Sequence, residues 1–549
     1  MRMSRVHGGG LHVVADYSEA PPFSFQNQSP SFTVFDLDGR FAGLKLDGFY
    51  EPEKRSVALS PKGAELFLAE RLVPDLPKGS TLYGRIMPTA EPSELPDPAA
   101  LAALGEAMME GAGGVTVGAH MPAAYTYLGQ FIAHDLSQMR DEDPACPTLN
   151  WRSAALDLDS LFGPVDRHLQ PVRDTCLSAG LRLGKTHGPN AGFDDLPRTR
   201  QGEAVIADQR NDSNLGIAQF HVAMTRFHQA VASRFPHESE DEQRSITRQH
   251  FQAVVLFDYL KHVIDPVVYR DVFRNGRAVV RPDSSFDKEP FLLPVEFAAA
   301  CFRFGHSMVR SEYMTWGRQN GGALARLLEL THLGGGLEDG RLPADWVVHW
   351  PNLAGGGQNA PIEAARIDTH LAQKLFRLPD WMFPTEPGCK IASTANLAAR
   401  TLVRGRTVLI PNAQDVAARV ARSLQGRPDL AVLENWQIDH QTTCLVSKCL
   451  NAGISYGERL RERTPLWFYT IREAEHFQGG QRLGPLASRI VMETIHAAIQ
   501  ATPNGIVDAH NRVCFEPKSE LGGRGRGPFG PDDCPFALHD LIATQQKAS

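Results

Sequence analysis

Tyr125-Thr126-Tyr127-Leu128-Gly129-Gln130-Phe131-Ile132-Ala133-His134-Asp135-Leu136 is an apolar run interrupted by an amide, an imidazole and a carboxylate. Read as a helix, it sets Gln130 and His134 four apart on one face, with Tyr127 just above them. Asp135 is rotated by about 100° and faces another way. One turn thus offers an amide and an imidazole to one cavity and a carboxylate to a second site. Such a histidine by itself is most often a satisfied core residue, so its neighbours along the chain decide the reading.

Outward from this segment the pattern stays helical. Apolar periodicity predicts helices over 123–138, 214–234, 246–264, 294–310, 394–404, 413–424 and 484–500, with Pro294 at a first helical position. Ser393 or Thr394 is the expected cap of the fifth of these, and Gly405 its end. Before residue 85 or so the character differs. Ser31 to Leu44 alternates around Asp38-Gly39, a two-residue hairpin signal, and Pro88 to Pro98 reads as a linker or exposed turn. The expected fold is mainly α: a large helical body over 86–549 and an N-terminal β-containing segment over 1–85.

Composition narrows the function classes. A net charge of −7 over 549 residues argues against a general nucleic-acid binder. The short Gly522-Gly523-Arg524-Gly525-Arg526-Gly527 stretch reads as a solvated loop rather than an RNA contact. No stretch approaches the roughly twenty apolar residues of a membrane span, and the N-terminus has no apolar core of signal-peptide length. A soluble, cytoplasmic protein is therefore expected. The eight cysteines form no zinc or disulfide framework, although Cys444 and Cys449 lie close together.

Four further pieces carry chemistry. Trp151-Arg152-Ser153-Ala154-Ala155-Leu156-Asp157-Leu158-Asp159 places oxygen-bearing residues at alternating positions. A hard cation such as calcium takes roughly six to eight oxygens, and Ser153, Asp157, Asp159, the Ala155 carbonyl and Asp135 would supply a set. Asp208-Gln209-Arg210-Asn211-Asp212-Ser213 precedes the helix from Asn214. Phe302-Arg303-Phe304-Gly305-His306 puts Arg303 and His306 three apart on one face, with Gly305 leaving room beside the imidazole. Asn396-Leu397-Ala398-Ala399-Arg400-Thr401-Leu402-Val403-Arg404 does the same for Thr401 and Arg404. Each piece alone has a bland reading as turn, surface or packing.

In this order the five pieces resemble the animal-type haem peroxidases of the peroxidase–cyclooxygenase superfamily. Gly129 to Asp135 is similar to the family's Gly-Gln-x-x-Asp-His-Asp, and Phe302 to His306 to its Phe-Arg-Tyr-Gly-His. Arg210 stands in its Arg-x-x-Glu, and Asn396 to Arg406 resembles its Asn-x-x-Arg-Gly-Arg segment. Thr464-Pro465-Leu466-Trp467-Phe468-Tyr469 and Arg482-Leu483-Gly484-Pro485 look like its closing region, so the likeness runs from about 120 to 500.

The resemblance implies a haem-dependent enzyme that reduces hydrogen peroxide through a ferryl state and oxidises small organic or (pseudo)halide donors. It makes His306 the axial iron ligand and sets Thr401 where the family has an asparagine bonded to that imidazole. His134 becomes the acid–base group, Arg210 the group that stabilises developing charge, and Gln130 the holder of water or substrate anion. Arg303 and Arg404 become propionate partners. Asp135, Ser153, Ala155, Asp157 and Asp159 become a calcium site. Ala133 and Ser213 stand where mammalian members have haem-ester carboxylates, which implies haem b held non-covalently and argues against chloride oxidation.

Two other functions are consistent with the same motifs. A fatty-acid dioxygenase of the superfamily would need a tyrosine three residues before the proximal histidine, where this chain has Arg303. A non-catalytic haem sensor would not need both His134 and Arg210.

Overall fold

The computed structural model describes six backbone strands between residues 2 and 59, and then residues 81–109, 118–139, 149–163, 181–280, 291–317, 321–379, 381, 395–428, 431–433, 437–438 and 457–546. The protein is mainly α-helical, as the periodicity predicted.

The N-terminal segment holds more β-structure than a single hairpin. Strands β1 (Arg2–Val6), β2 (Gly10–Val14), β3 (Phe23–Gln26), β4 (Ser31–Asp36), β5 (Leu44–Glu51) and β6 (Ser56–Leu59) form one antiparallel sheet in the order β1-β2-β6-β5-β4-β3. The expected pairing of β4 with β5 is present, but Val34 pairs with Leu44. A two-residue turn at Asp38-Gly39 would have set Val34 opposite Gly43, so the register is one residue off; the turn residues themselves lie outside the described residues. Thr81–Leu82 pairs with Leu149–Asn150, and the Gly84 amide bonds the Leu293 carbonyl at 2.8 Å.

The His134 helix runs from Ala124 to Leu136. Its apolar face packs on two neighbours, the helices Leu215–Arg234 and Glu240–Ala253, through Phe131 against Phe220 at 5.3 Å and Phe251 at 5.7 Å. Two glycines permit this close docking. A Cβ on Gly129 would lie 2.4 Å from the Tyr259 hydroxyl, and one on Gly216 would lie 2.1 Å from the Tyr127 ring. The Glu240–Ala253 helix passes through a π-helical stretch, Val254–Tyr259, that carries Tyr259 to this contact.

Three expected elements differ in form. The predicted helix over 294–310 is a short α-helix, Val295–Ala299, followed by a 3₁₀ helix, Cys301–His306. Ala300, at φ −135° and ψ −79°, breaks the α geometry between them. Residues three apart eclipse in a 3₁₀ turn, so Arg303 and His306 still share a side. The Thr401 helix spans Leu397–Thr407, capped by the Asn396 side chain on the Ala399 amide. Gly405 therefore lies inside it rather than at its end, and Ser393 and Thr394 lie outside the described residues. The Pro88–Pro98 stretch is no free linker. Arg406 Nη1 clamps the carbonyls of Pro92, Leu95 and Pro96, and a helix, Pro98–Ala107, begins at once.

Cys301, Cys514 and Cys534 carry free thiols, whereas Cys444 and Cys449 lie outside the described residues. Arg524 of the glycine–arginine stretch pairs with Asp540 at 2.7 Å. Among the described residues no helix is long and apolar enough to cross a membrane.

Candidate active site

His134 sits in the last turn of its helix, and Asn211 holds its ring. His134 Nδ1 lies 2.8 Å from Asn211 Oδ1, and Asn211 Nδ2 lies 3.1 Å from Nδ1 of the buried His221. An amide oxygen can only accept, so His134 Nδ1 carries the proton and Nε2 keeps its lone pair. Burial, aided by the Arg210 guanidinium, lowers the His134 pKa to about 4, and burial lowers His221 to about 4 as well. Both rings are neutral near pH 7. Sequence reading missed Asn211 and His221, although Asn211 lies inside a segment it had singled out.

Arg210 comes from a 3₁₀ turn, Gln209–Asp212, capped by Asp208. Its Nε and Nη2 donate to Asp208 at 3.0 and 2.6 Å, Nη1 to the Ser137 carbonyl at 2.7 Å, and Nη2 to the His134 carbonyl at 2.8 Å. The guanidinium is thereby tied to the end of the His134 helix. Burial alone would raise the Asp208 carboxyl, but Arg210 and Arg152 outweigh it and hold it far below the usual range. Gln130 donates to Ser213 Oγ at 3.3 Å and accepts from Asn214 Nδ2 at 3.3 Å. The Gln130 amide is thereby held against the turn that leads into the Leu215–Arg234 helix.

His306 ends the 3₁₀ helix. Its Nδ1 is 3.2 Å from Thr401 Oγ1, and that hydroxyl donates its one proton to the Leu397 carbonyl at 2.7 Å. Thr401 must then accept from His306, which leaves Nε2 as a free lone pair. Burial, with help from Arg303, depresses the His306 pKa to about 3. Trp467 packs edge-on at 6.1 Å and donates Nε1 to the Arg303 carbonyl.

Tyr83, another residue that sequence reading missed, joins the two halves. Its hydroxyl bonds Ser137 Oγ at 2.6 Å, one residue beyond the His134 helix. Burial raises its pKa to about 12 against the opposing pull of Ser137 and of Arg210, Arg303 and Arg404. One phenol thus feels the arginine of the His134 side together with the two arginines of the His306 side.

These residues fit a haem. A Cβ added at Gly305 or Gly405 would meet nothing within 4 Å among the described residues, which leaves room beside His306 and Arg404. A neutral imidazole with its lone pair free is the form that ligates iron, and Arg303 and Arg404 bring the positive charge that propionates need.

Ligand oxygens of Asp135, Asp157 and Asp159 lie within 4.8 Å of one another. Asp135 is oriented by the Leu158 and Ser160 amides, at 3.0 and 3.1 Å, and by Ser160 Oγ at 2.8 Å. Ser153 bonds Asp157, and the Ala155 amide bonds Ser153 Oγ at 3.3 Å. Asp159 Oδ1 is buried without a hydrogen-bond partner among the described residues. Burial and mutual repulsion push Asp135 up to about 7 and Asp159 well above the usual range, the behaviour of carboxylates gathered for a cation. The donor set is all oxygen and fits calcium.

Two desolvated imidazoles, each with its Nε2 lone pair free, and a flanking arginine thus stand on one helical scaffold. Residues 142–333 match the family model described as animal haem peroxidase. No curated protein matches the chain at the sequence level. Among solved structures it is similar to peroxidase A from Dictyostelium discoideum, at 15% identity and a TM-score of 0.51, covering 85% of this chain and 93% of that one. It is similar also to the fatty acid alpha-dioxygenase of Oryza sativa solved with palmitic acid (15%, TM-score 0.53, 78% and 76% covered). The alpha-dioxygenase of Arabidopsis thaliana matches at 12% identity and a TM-score of 0.53, over 86% and 76%. The match to the animal haem peroxidase model covers about a third of the chain, and the fold is one shared with a peroxidase and with alpha-dioxygenases.

Proposed function

We propose that this protein is a haem-dependent peroxidase that reduces hydrogen peroxide and oxidises small organic or (pseudo)halide donors. The observation that carries this reading is His134: neutral, tautomer set by Asn211, its Nε2 free, and Arg210 tied beside it. An imidazole in that state takes a proton from peroxide at Nε2 and returns it to the departing oxygen. Arg210 stabilises the charge that develops there, and Gln130 with Ser213 positions water or an anion.

His306, its ring fixed by Thr401, would hold haem b, and Arg303 and Arg404 would hold its propionates. The bound haem supplies the two-electron redox chemistry. Ala133 and Ser213 offer no carboxylate for an ester, so the attachment is non-covalent. Calcium at Asp135, Ser153, Ala155, Asp157 and Asp159 ties the His134 helix to the loop behind it. The test is an absorption spectrum of the purified protein before and after stoichiometric peroxide: a Soret band that changes and then recovers with donor is expected, and an unresponsive band refutes the reading.

A fatty-acid dioxygenase is the second reading, favoured by the likeness to two alpha-dioxygenase folds. Arg303 and Phe304 offer no phenol where the tyrosine of such oxygenases would precede His306. Oxygen uptake with linoleate, without added peroxide, would reverse the order of the two.

A further inference from the structure

Arg152 lies between the acidic cluster and the arginine of the catalytic pocket. Its side chain is 7% exposed. Nη2 donates to Asp208 Oδ2 at 2.5 Å, and Nη1 lies 3.5 Å from Asp159 Oδ1. The same Asp208 oxygen accepts Arg210 Nη2 at 2.6 Å. Two guanidiniums therefore share one carboxylate oxygen, and one of them also faces the carboxylates of the cation cluster.

We propose that Arg152 is a positioning residue that couples cation occupancy at Asp135, Asp157 and Asp159 to the placement of Arg210. A cation seated there takes up the charge of Asp159 Oδ1, an oxygen that meets Arg152 Nη1 at 3.5 Å and has no hydrogen-bond partner among the described residues, and repels that guanidinium. Arg152 then gives its whole charge to Asp208 Oδ2 and competes with Arg210 Nη2 for that oxygen. Arg210 is loosened from Asp208, and a donor becomes available to an anion in the pocket. With the cluster empty, Arg152 leans toward Asp159 and Arg210 is drawn back onto Asp208. Because binding free energies are reciprocal, an anion held by Arg210 tightens the cation by the same factor.

This coupling rests on the peroxidase reading, and its test is separable from it. Terbium, sensitised by the adjacent Trp151, is titrated into the haem-loaded wild type, Arg152→Met and Arg152→Lys, and cyanide affinity of the ferric protein is measured with calcium and with chelator. In the wild type calcium tightens cyanide by about fivefold or more, the lower end of ordinary allosteric coupling. Arg152→Met loses that dependence and binds terbium more tightly, because a repelling charge is gone; a side chain that merely braced the loop would weaken terbium when removed. Arg152→Lys keeps the charge but cannot span both carboxylates, so it holds terbium like the wild type and still loses the coupling. It carries the test if the methionine variant does not fold. Cyanide affinity indifferent to calcium in the wild type, or equal calcium dependence in either variant, overturns the proposal. A protein that binds cyanide with this linkage yet ignores peroxide overturns the peroxidase reading instead.

Discussion

Asn211→Leu is the perturbation that most directly probes how the pocket prepares its base. Leucine is close to asparagine in shape but offers neither the Oδ1 that His134 Nδ1 bonds at 2.8 Å nor the Nδ2 beside His221. A desolvated ring N–H left without an acceptor costs about 1–3 kcal/mol. The imidazole escapes that cost by moving its proton to Nε2, the nitrogen that must accept from peroxide. A penalty of about 1–3 kcal/mol set against the productive tautomer lowers its population by roughly 5–150-fold. The second-order rate constant with peroxide, read at the Soret band by stopped flow, is expected to fall by about 10–10²-fold, within the roughly 10²–10⁴ that acid–base catalysis supplies in total. Asn211→Asp provides the contrast. It keeps the acceptor, so the rate at pH 8 stays near wild type, but its charge raises the His134 pKa and activity is lost earlier on acidification. An Asn211→Leu protein with an intact Soret band and a rate within about threefold of wild type would refute the tautomer argument.

The wild-type rate constant should stay flat from pH 8 to 5 and fall only as pH drops through about 4, because the proposed mechanism uses the neutral imidazole and burial depresses its pKa; a tenfold loss already at pH 5.5 contradicts this. His134→Ala is expected to slow the peroxide reaction by about 10²–10⁴-fold while leaving the Soret band in place, which stopped flow and an absorption spectrum check together. Acidified butanone should strip the haem completely, since Ala133 and Ser213 cannot form esters; colour retained by the denatured protein speaks against it. Prolonged chelation should lower helical circular dichroism and haem retention, because Asp135 joins the His134 helix to the Leu158–Ser160 turn. Unchanged spectra, with no calcium in elemental analysis, remove the calcium assignment.

Much of this protein could be read from its chain because helical periodicity and cap chemistry are local. The His134 helix was predicted within two residues at each end, since Gln130 and His134 interrupt its apolar face at one spacing. The break at Ala300 escaped notice because α and 3₁₀ turns accept the same apolar residues, and packing chooses between them. The N-terminal sheet was reduced to a hairpin because the order β1-β2-β6-β5-β4-β3 is a matter of long-range pairing, which a local turn signal such as Asp38-Gly39 does not reveal.

The same division runs through the site. Motif order alone brought forward His134, Arg210, His306, Thr401 and the three aspartates. Which nitrogen of each histidine carries the proton depended on partners 77 and 95 residues away, Asn211 and Thr401. Tyr83 lies 54 residues from Ser137, and Arg152 lies 56 from Asp208. An isolated tyrosine or arginine has no periodicity and no neighbour in sequence to mark it. Its chemistry is set by burial and by the charges that folding brings within a few ångströms, and those exist only in the tertiary structure.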